Sequence, residues 1–210
     1  MKLIGVSGAA GAGKDEFAKI GVEEFGATRV AFADPLKEEV AEFLDEHEVC
    51  WEHRHLYGDV NDKEATLRMA YSHKPRASSM TWFLTDVCDY HDGYLYFTAR
   101  KLLQYWGTEY RRNQDPNYWV AKAFKALPAS GLCIITDMRF PNEMEAIQAI
   151  GGKTVRIIRP TAQKITGSSH ASESLMENRT DWDRVLINAS TLEDYHKGCR
   201  LVLGELLHEQ

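Results

Sequence analysis

The chain has 210 residues, of which 44% are hydrophobic and 27% charged, and a formal net charge of −6. These values are ordinary for one sizeable soluble domain with its own core and small inserted subdomains. They give no electrostatic case for nucleic acid as the main partner, although local arginines can still bind small anions.

The cysteines, Cys50, Cys88, Cys133 and Cys199, are scattered without a paired framework, which fits free thiols in a reducing compartment. The apolar run Leu3–Val6 is too short for a signal peptide, and no stretch approaches the ~20 apolar residues that span a membrane. No membrane partner and a cytoplasmic setting (the host's, for a viral protein) are expected.

Residues 2–7 predict a first strand, largely apolar as a buried parallel strand should be. It runs into Gly8-Ala9-Ala10-Gly11-Ala12-Gly13-Lys14. A helix is expected over 14–25, with Phe17 and Ile20 on its apolar face and Gly26 closing it. Strand, glycine-rich turn and helix is the setting that a G-x-x-x-x-G-K phosphate loop requires. Gly8, Gly11 and Gly13 permit angles and close approaches that a side chain blocks. The N–H groups of the turn and of the first helical turn then converge on an anion. Lys14 adds a positive charge for the β- and γ-phosphates.

A second strand is expected at 28–33. Asp34-Pro35 then opens a helix, with the acid as cap and proline at the first helical position; Leu36, Val40, Phe43 and Leu44 give it an apolar face. Residues 45–98 mix charges, histidines and aromatics and read as an insertion on the core, with a helix expected over Lys63–Ser72. Residues 98–126 look helical, interrupted by a polar break at 107–116 that carries Arg111 and Arg112. Further strands are expected at 132–137, 153–158 and 184–188, with a helix at 141–150 ended by Gly151-Gly152. Residues 159–183 read as a mobile loop or lid. Ser190-Thr191-Leu192-Glu193 is a capping-box signal for a last helix reaching about His208.

Five short apolar strands separated by helices imply a parallel α/β sheet with helices on both faces and ligands at the strands' carboxyl ends. The phosphate loop, Asp34, Asp137, Arg159 and Asn188 all fall at such ends. Asp137 is placed to hold Mg²⁺ or a water of its shell; a plain helix cap is its alternative. Asp34 is either a cap or a strand-end carboxylate that orients an acceptor or binds the metal shell. Asp15 stands where Ser or Thr normally holds Mg²⁺. It is either a metal ligand, direct or through water, or an acid favoured by the helix dipole.

Phosphoryl transfer needs positive charge around the phosphates. Lys14, Lys37, Arg111, Arg112, Arg139, Arg159, Lys164 and Arg179 are the candidates, with Arg111, Arg112, Arg139 and Arg159 favoured by their loop or strand-end positions. Cys50-x-x-His53-x-His55 and Cys88-x-x-His91 do not have standard zinc spacing, and no zinc site is assigned.

Four segments carry a resemblance. They are the loop ending Gly13-Lys14-Asp15; Phe32-Ala33-Asp34-Pro35-Leu36-Lys37; Leu102-Leu103-Gln104-x-x-Gly107-Thr108-Glu109-x-x-Arg112 with Asp115-Pro116-x-Tyr118-Trp119; and Thr136-Asp137-Met138-Arg139-Phe140-Pro141-Asn142-Glu143. Together they resemble the bacteriophage deoxynucleoside monophosphate kinases, in which aspartate also follows the loop lysine. The resemblance implies a three-layer phosphate-loop NTPase fold, a single kinase domain over 1–210 with strand order 2-3-1-4-5. It implies an inserted acceptor-binding region at 45–126 and a lid at 159–183. It further implies transfer of the γ-phosphoryl of ATP to a deoxynucleoside monophosphate with Mg²⁺.

By position, Gly8, Ala9, Gly11, Ala12, Gly13, Lys14 and Asp15 would hold ATP phosphates, and Asn188, Ser190 and Thr191 would lie near adenine. Asp34, Lys37, Gln104, Arg111, Arg112, Asp137 and Arg139 would surround the acceptor. Lys14, Asp34, Arg112, Arg139 and Arg159 would be the catalytic set, and Asp15 and Asp137 the metal set. A related kinase acting on phosphomevalonate or dephospho-coenzyme A, or a nucleotide-dependent switch, is the alternative. Exposed aromatics in the insertion leave both a homodimer and contact with the substrate base open.

Overall fold

Period-two alternation along short apolar runs builds the main sheet. The protein is described by a computed structural model covering residues 1–76, 80–160, 175–176 and 179–208. In chain order its elements are β1 (Lys2–Ser7), α1 (Lys14–Phe25), β2 (Thr28–Val30), α2 (Ala33–Glu46), α3 (His53–Tyr57), α4 (Val60–Glu64), β3 (Thr66–Ala70), β4 (Asp89–His91), β5 (Tyr94–Thr98), α5 (Ala99–Gln104), α6 (Tyr118–Lys125), β6 (Leu132–Ile135), α7 (Pro141–Ala149), β7 (Lys153–Ile158), β8 (Arg184–Ile187) and α8 (Leu192–His208). The chain packs as two compact units, Met1–Phe32 with Val120–Gln210, and Ala33–Trp119.

The first unit holds a five-stranded sheet in the order β2-β6-β1-β7-β8, parallel throughout. Numbered among themselves, these strands run 2-3-1-4-5, as the resemblance implies. Ile4 lies opposite Ile134, Val6 opposite Val155 and Ile157 opposite Leu186. Ile4, Val6, Ile134, Val155 and Ile157 pack with Phe17 and Ile20 of α1 and with Tyr195, Cys199 and Leu203 of α8. Leu3, Cys133 and Ile135 turn to the other face, against Val120, Ala123, Met144 and Ile147. Helices thus cover both faces, giving three layers.

The second unit starts at Ala33, ahead of residue 45, because Val40, Phe43 and Leu44 of α2 belong to its core. It contains a three-stranded antiparallel sheet, β3-β5-β4. The helix expected over Lys63–Ser72 is not formed. Helix α4 ends at Glu64, and Leu67 and Met69 alternate with exposed Thr66 and Arg68, a strand pattern that pairs with Leu95 and Phe97. The polar break expected at 107–116 is also corrected. Tyr105–Arg112 continues α5 as a π-helical segment, with Trp106 and Gly107 buried.

Two caps differ in detail. The last helix is capped by Thr191, whose Oγ1 accepts from Asp194 N at 3.2 Å, one residue later than the Ser190 signal. Asp34 sits inside the first turn of α2 rather than ahead of it. No helix is long and apolar enough to cross a membrane among the described residues.

Candidate active site

In the first unit the phosphate loop follows β1 and ends at α1, the only order in which the strand's carboxyl end can feed a helix N-terminus. Its carbonyl oxygens are held by side chains from around it. Lys14 Nζ donates to Gly8 O and Ala9 O, both at 2.8 Å. Arg159 Nη1 donates to Gly11 O at 3.2 Å, Asn188 Nδ2 to Ala12 O at 2.9 Å, and Tyr195 OH to Gly13 O at 2.8 Å. A trans peptide points its N–H opposite to its C=O. Carbonyls anchored this way turn the Gly13 and Lys14 amides to the opposite side, as an anion-binding nest needs, while the Ala12 amide closes the turn on Ala9 O at 3.1 Å.

Burial pushes the Tyr195 phenol up from its ordinary range, so it stays protonated and donates. Gly13 has φ +113°, and a Cβ there would lie 2.7 Å from Tyr195 OH and 2.9 Å from Asn188 Nδ2. At Gly8 a Cβ would come within 2.6 Å of Ile157 O, so glycine is required for close approach to β7.

The strand ends are equally occupied. Asp137 Oδ1 accepts from Phe32 N at 2.8 Å, tying the end of β6 to the residues after β2. Arg139 N and Phe140 N donate to Glu143 Oε2 at 2.8 and 3.1 Å, so a carboxylate only 1% exposed closes the start of α7 while the Arg139 side chain is exposed. Asp15 is exposed in the first turn of α1. Thr191 serves the α8 cap, and Ser190 is exposed beside it.

Asp183 is a structural carboxylate that the sequence reading does not single out. It accepts from Thr154 N at 2.8 Å, Thr154 Oγ1 at 3.0 Å and Lys153 Nζ at 3.1 Å. Burial alone would raise its pKa, but these donors bring it below the usual carboxylate range. A depressed folded-state pKa gives stability that is present above the unfolded value of about 3.9 and is lost as pH falls through the lower folded value. Asp183→Asn is therefore expected to destabilise by about 1–2 kcal/mol at neutral pH. The gap to wild type should close below about pH 4. Thermal melts stepped from pH 7 down to pH 2 check this; a gap that does not narrow anywhere below about pH 4 assigns the loss to shape rather than charge.

Of the expected acceptor residues, the second unit carries Asp34 and Lys37 on α2, Gln104 on α5 and Arg111 and Arg112 in the π-helical segment, whereas Asp137 and Arg139 belong to the first unit. Glu39 of α2 accepts from Trp106 Nε1 at 3.0 Å, Arg111 Nε at 2.9 Å and Tyr118 OH at 2.5 Å. Arg112 Nη1 reaches Pro116 O at 3.5 Å. Lys37 lies 3.9 Å from Asp34 and 5.1 Å from the centre of the Tyr57 ring. Gln104 ends α5, half-buried. Trp119 Nε1 donates to Gly107 O at 2.9 Å, near the start of the segment. Glu39, Tyr195 and Asp183 escape sequence reasoning because their partners are remote in the chain and no motif marks them.

The histidines and cysteines of the second unit have other company than a metal. His53 stacks on Tyr57, His55 Nδ1 accepts from Glu52 N at 2.9 Å, and Cys88 is buried with its thiol pushed up to about 12. Among the described residues no three His, Cys, Asp or Glu side chains lie together as a metal cluster. Most of the expected lid, including Lys164, lies outside the described residues; Arg179 pairs with Asp181 at 2.6 Å and with Glu145 at 3.1 Å.

A protein of Acanthamoeba polyphaga mimivirus assigned as a deoxynucleotide monophosphate kinase is 28% identical over 212 aligned positions, 93% of each chain. An uncharacterised protein, ORF77, of Ictalurid herpesvirus 1 (strain Auburn) is 37% identical over 89 positions, 39% of this chain and 38% of that one. Among solved structures, the dephospho-CoA kinase of Campylobacter jejuni superimposes with a TM-score of 0.51 at 16% identity, covering 98% of both chains. That likeness is one of fold, and it agrees with the phosphate-loop NTPase architecture built above. A profile of the deoxynucleotide monophosphate kinase family matches residues 79–198, a span that includes Gln104, the arginine pair, Asp137, Arg159, Asn188 and the loop-bracing Tyr195. With more than half of its length so matched, the chain belongs to the deoxynucleotide monophosphate kinase family, a family of ATP-dependent nucleotide kinases.

Proposed function

We propose that the protein transfers the γ-phosphoryl group of ATP to a deoxynucleoside 5′-monophosphate, giving a deoxynucleoside diphosphate and ADP. The observation that carries the reading is the phosphate loop, with its carbonyls braced by side chains and Lys14 at its end. The bond from the γ-phosphorus to the β–γ bridging oxygen breaks, and a bond to an acceptor phosphate oxygen forms. That oxygen is already ionised, so no base is needed, and catalysis rests on positioning and charge neutralisation.

In this reading the amides from Gly8 to Lys14 bind the donor phosphates. Asp34, Lys37, Gln104, Arg111 and Arg112 bind the acceptor, and Arg139 and Arg159 neutralise developing charge. The segment Asn188–Thr191 serves adenine, with Asn188 also bracing the loop. Asp15 and Asp137 supply the hard carboxylate oxygens that Mg²⁺ takes together with waters and substrate phosphates, and so fit that ion. Bound there, Mg²⁺ would neutralise phosphate charge. The bacteriophage branch of the family is supported by the Gly13-Lys14-Asp15 ending.

ADP release with ATP and Mg²⁺ across deoxy- and ribonucleoside monophosphates tests the reading. Stimulation by at least one deoxynucleoside monophosphate is expected. Stimulation by dephospho-coenzyme A alone would move the assignment to that acceptor, and tight ATP binding without transfer to any acceptor would favour a nucleotide switch.

A further inference from the structure

We infer that Glu39 is a positioning residue that aims the guanidinium of Arg111 at the acceptor's phosphate; the inference rests on the reading of Arg111 as an acceptor ligand. The Glu39 side chain is only 11% exposed. A carboxylate so far removed from water needs donors on both oxygens and a compensating charge. Both are present. Trp106 Nε1 and Arg111 Nε bond to Oε2, Tyr118 OH bonds to Oε1, and Arg111 carries the opposite charge.

The same set fixes the plane of the guanidinium. Its carbon lies 4.7 Å from the centre of the Tyr110 ring, 4.8 Å from that of Tyr118 and 5.9 Å from that of Trp106. Aromatic faces at these distances attract the cation and limit its rotation. Glu39 takes the Nε–H, and neither Nη atom bonds to a described residue. The free edge of the fork therefore carries two N–H groups side by side, the arrangement that grips two oxygens of one phosphate. An arginine fixed in advance loses less side-chain entropy on binding than one that is free on the surface. Glu39 thus acts through Arg111 and needs no contact with substrate.

Steady-state kinetics of the full chain with ATP and its best monophosphate tests this. Glu39→Gln should raise the acceptor KM about tenfold, equivalent to about 1.4 kcal/mol, with the KM for ATP unchanged. Tyr118→Phe removes the bond to Oε1 while keeping the ring beside the guanidinium, and should shift the acceptor KM by less than about threefold. Glu39→Asp keeps the charge but withdraws it by one methylene, and should raise the acceptor KM selectively even if the glutamine variant does not fold. An acceptor KM that stays within about twofold of wild type in a folded Glu39 variant overturns the inference while leaving the kinase reading intact. So does an equal rise in both KM values that follows lost thermal stability, which marks a purely structural carboxylate. Wild-type enzyme that no monophosphate stimulates brings down both.

Discussion

Lys14→Ala is expected to lower kcat/KM for ATP by about 10²- to 10³-fold, the range seen when one charge-stabilising group is removed from a transition state. The lysine is placed for two tasks. Its ammonium bonds to the carbonyls of Gly8 and Ala9 and so holds the first half of the loop in shape. It also stands at the start of α1, where its charge adds to the positive end of the helix dipole. Lys14→Arg separates the tasks. It keeps the charge but not the compact ammonium, and a partial recovery of kcat/KM would credit charge over shape. The measurement is single-turnover and steady-state phosphoryl transfer at saturating monophosphate. Activity within about threefold of wild type in the alanine variant would remove the loop from the donor site.

Gly13→Ala is the second large effect, on the order of a hundredfold in kcat/KM, with a lowered melting temperature. A φ of +113° is strained for any residue with a Cβ, and the new methyl group would meet the two side chains that brace the neighbouring carbonyls. Tyr195 and Asn188 would both have to withdraw, freeing the Gly13 and Ala12 peptides to rotate. Gly11→Ala is the control. Gly11 also has positive φ, at +70°, but nothing lies within 4 Å of the added carbon. Its loss should be only the backbone strain, roughly 1–2 kcal/mol. If the two variants behave alike, the bracing of Gly13 contributes nothing to the loop.

Much of the first unit is legible in the sequence because its signals are local. Residues 14–25 are helical and 153–158 extended as their spacing predicts, and the parallel order follows from strands separated by helices. The second unit is less legible for a physical reason. Strand β3 is five residues long, follows the charged turn of α4, and finds its partner β5 only after a further stretch of chain. Its Leu67, Arg68, Met69 and Ala70 suit a helix as well as a strand, so tertiary pairing decides. The same holds at the site. The glycines and Lys14 announce themselves as a motif, whereas the Glu39 bonds join residues 67, 72 and 79 positions apart. The expected helix break at Gly107 fails because Trp119 and Leu36 pack over that glycine and hold the segment wound.

The π-helical winding of Tyr105–Arg112 makes the segment sensitive to length in a way its composition does not reveal. Wide turns of this kind accommodate a residue more than the α-helix around them and recur at functional positions. In an α-helix each residue turns the chain by about 100°. Shortening the segment by one residue would relax it to that pitch and swing Arg111 and Arg112 around the axis relative to Trp106, with every side-chain type still present. Register along the backbone is thus the tighter constraint on this stretch: it absorbs an exchange of residue more readily than a slip of one.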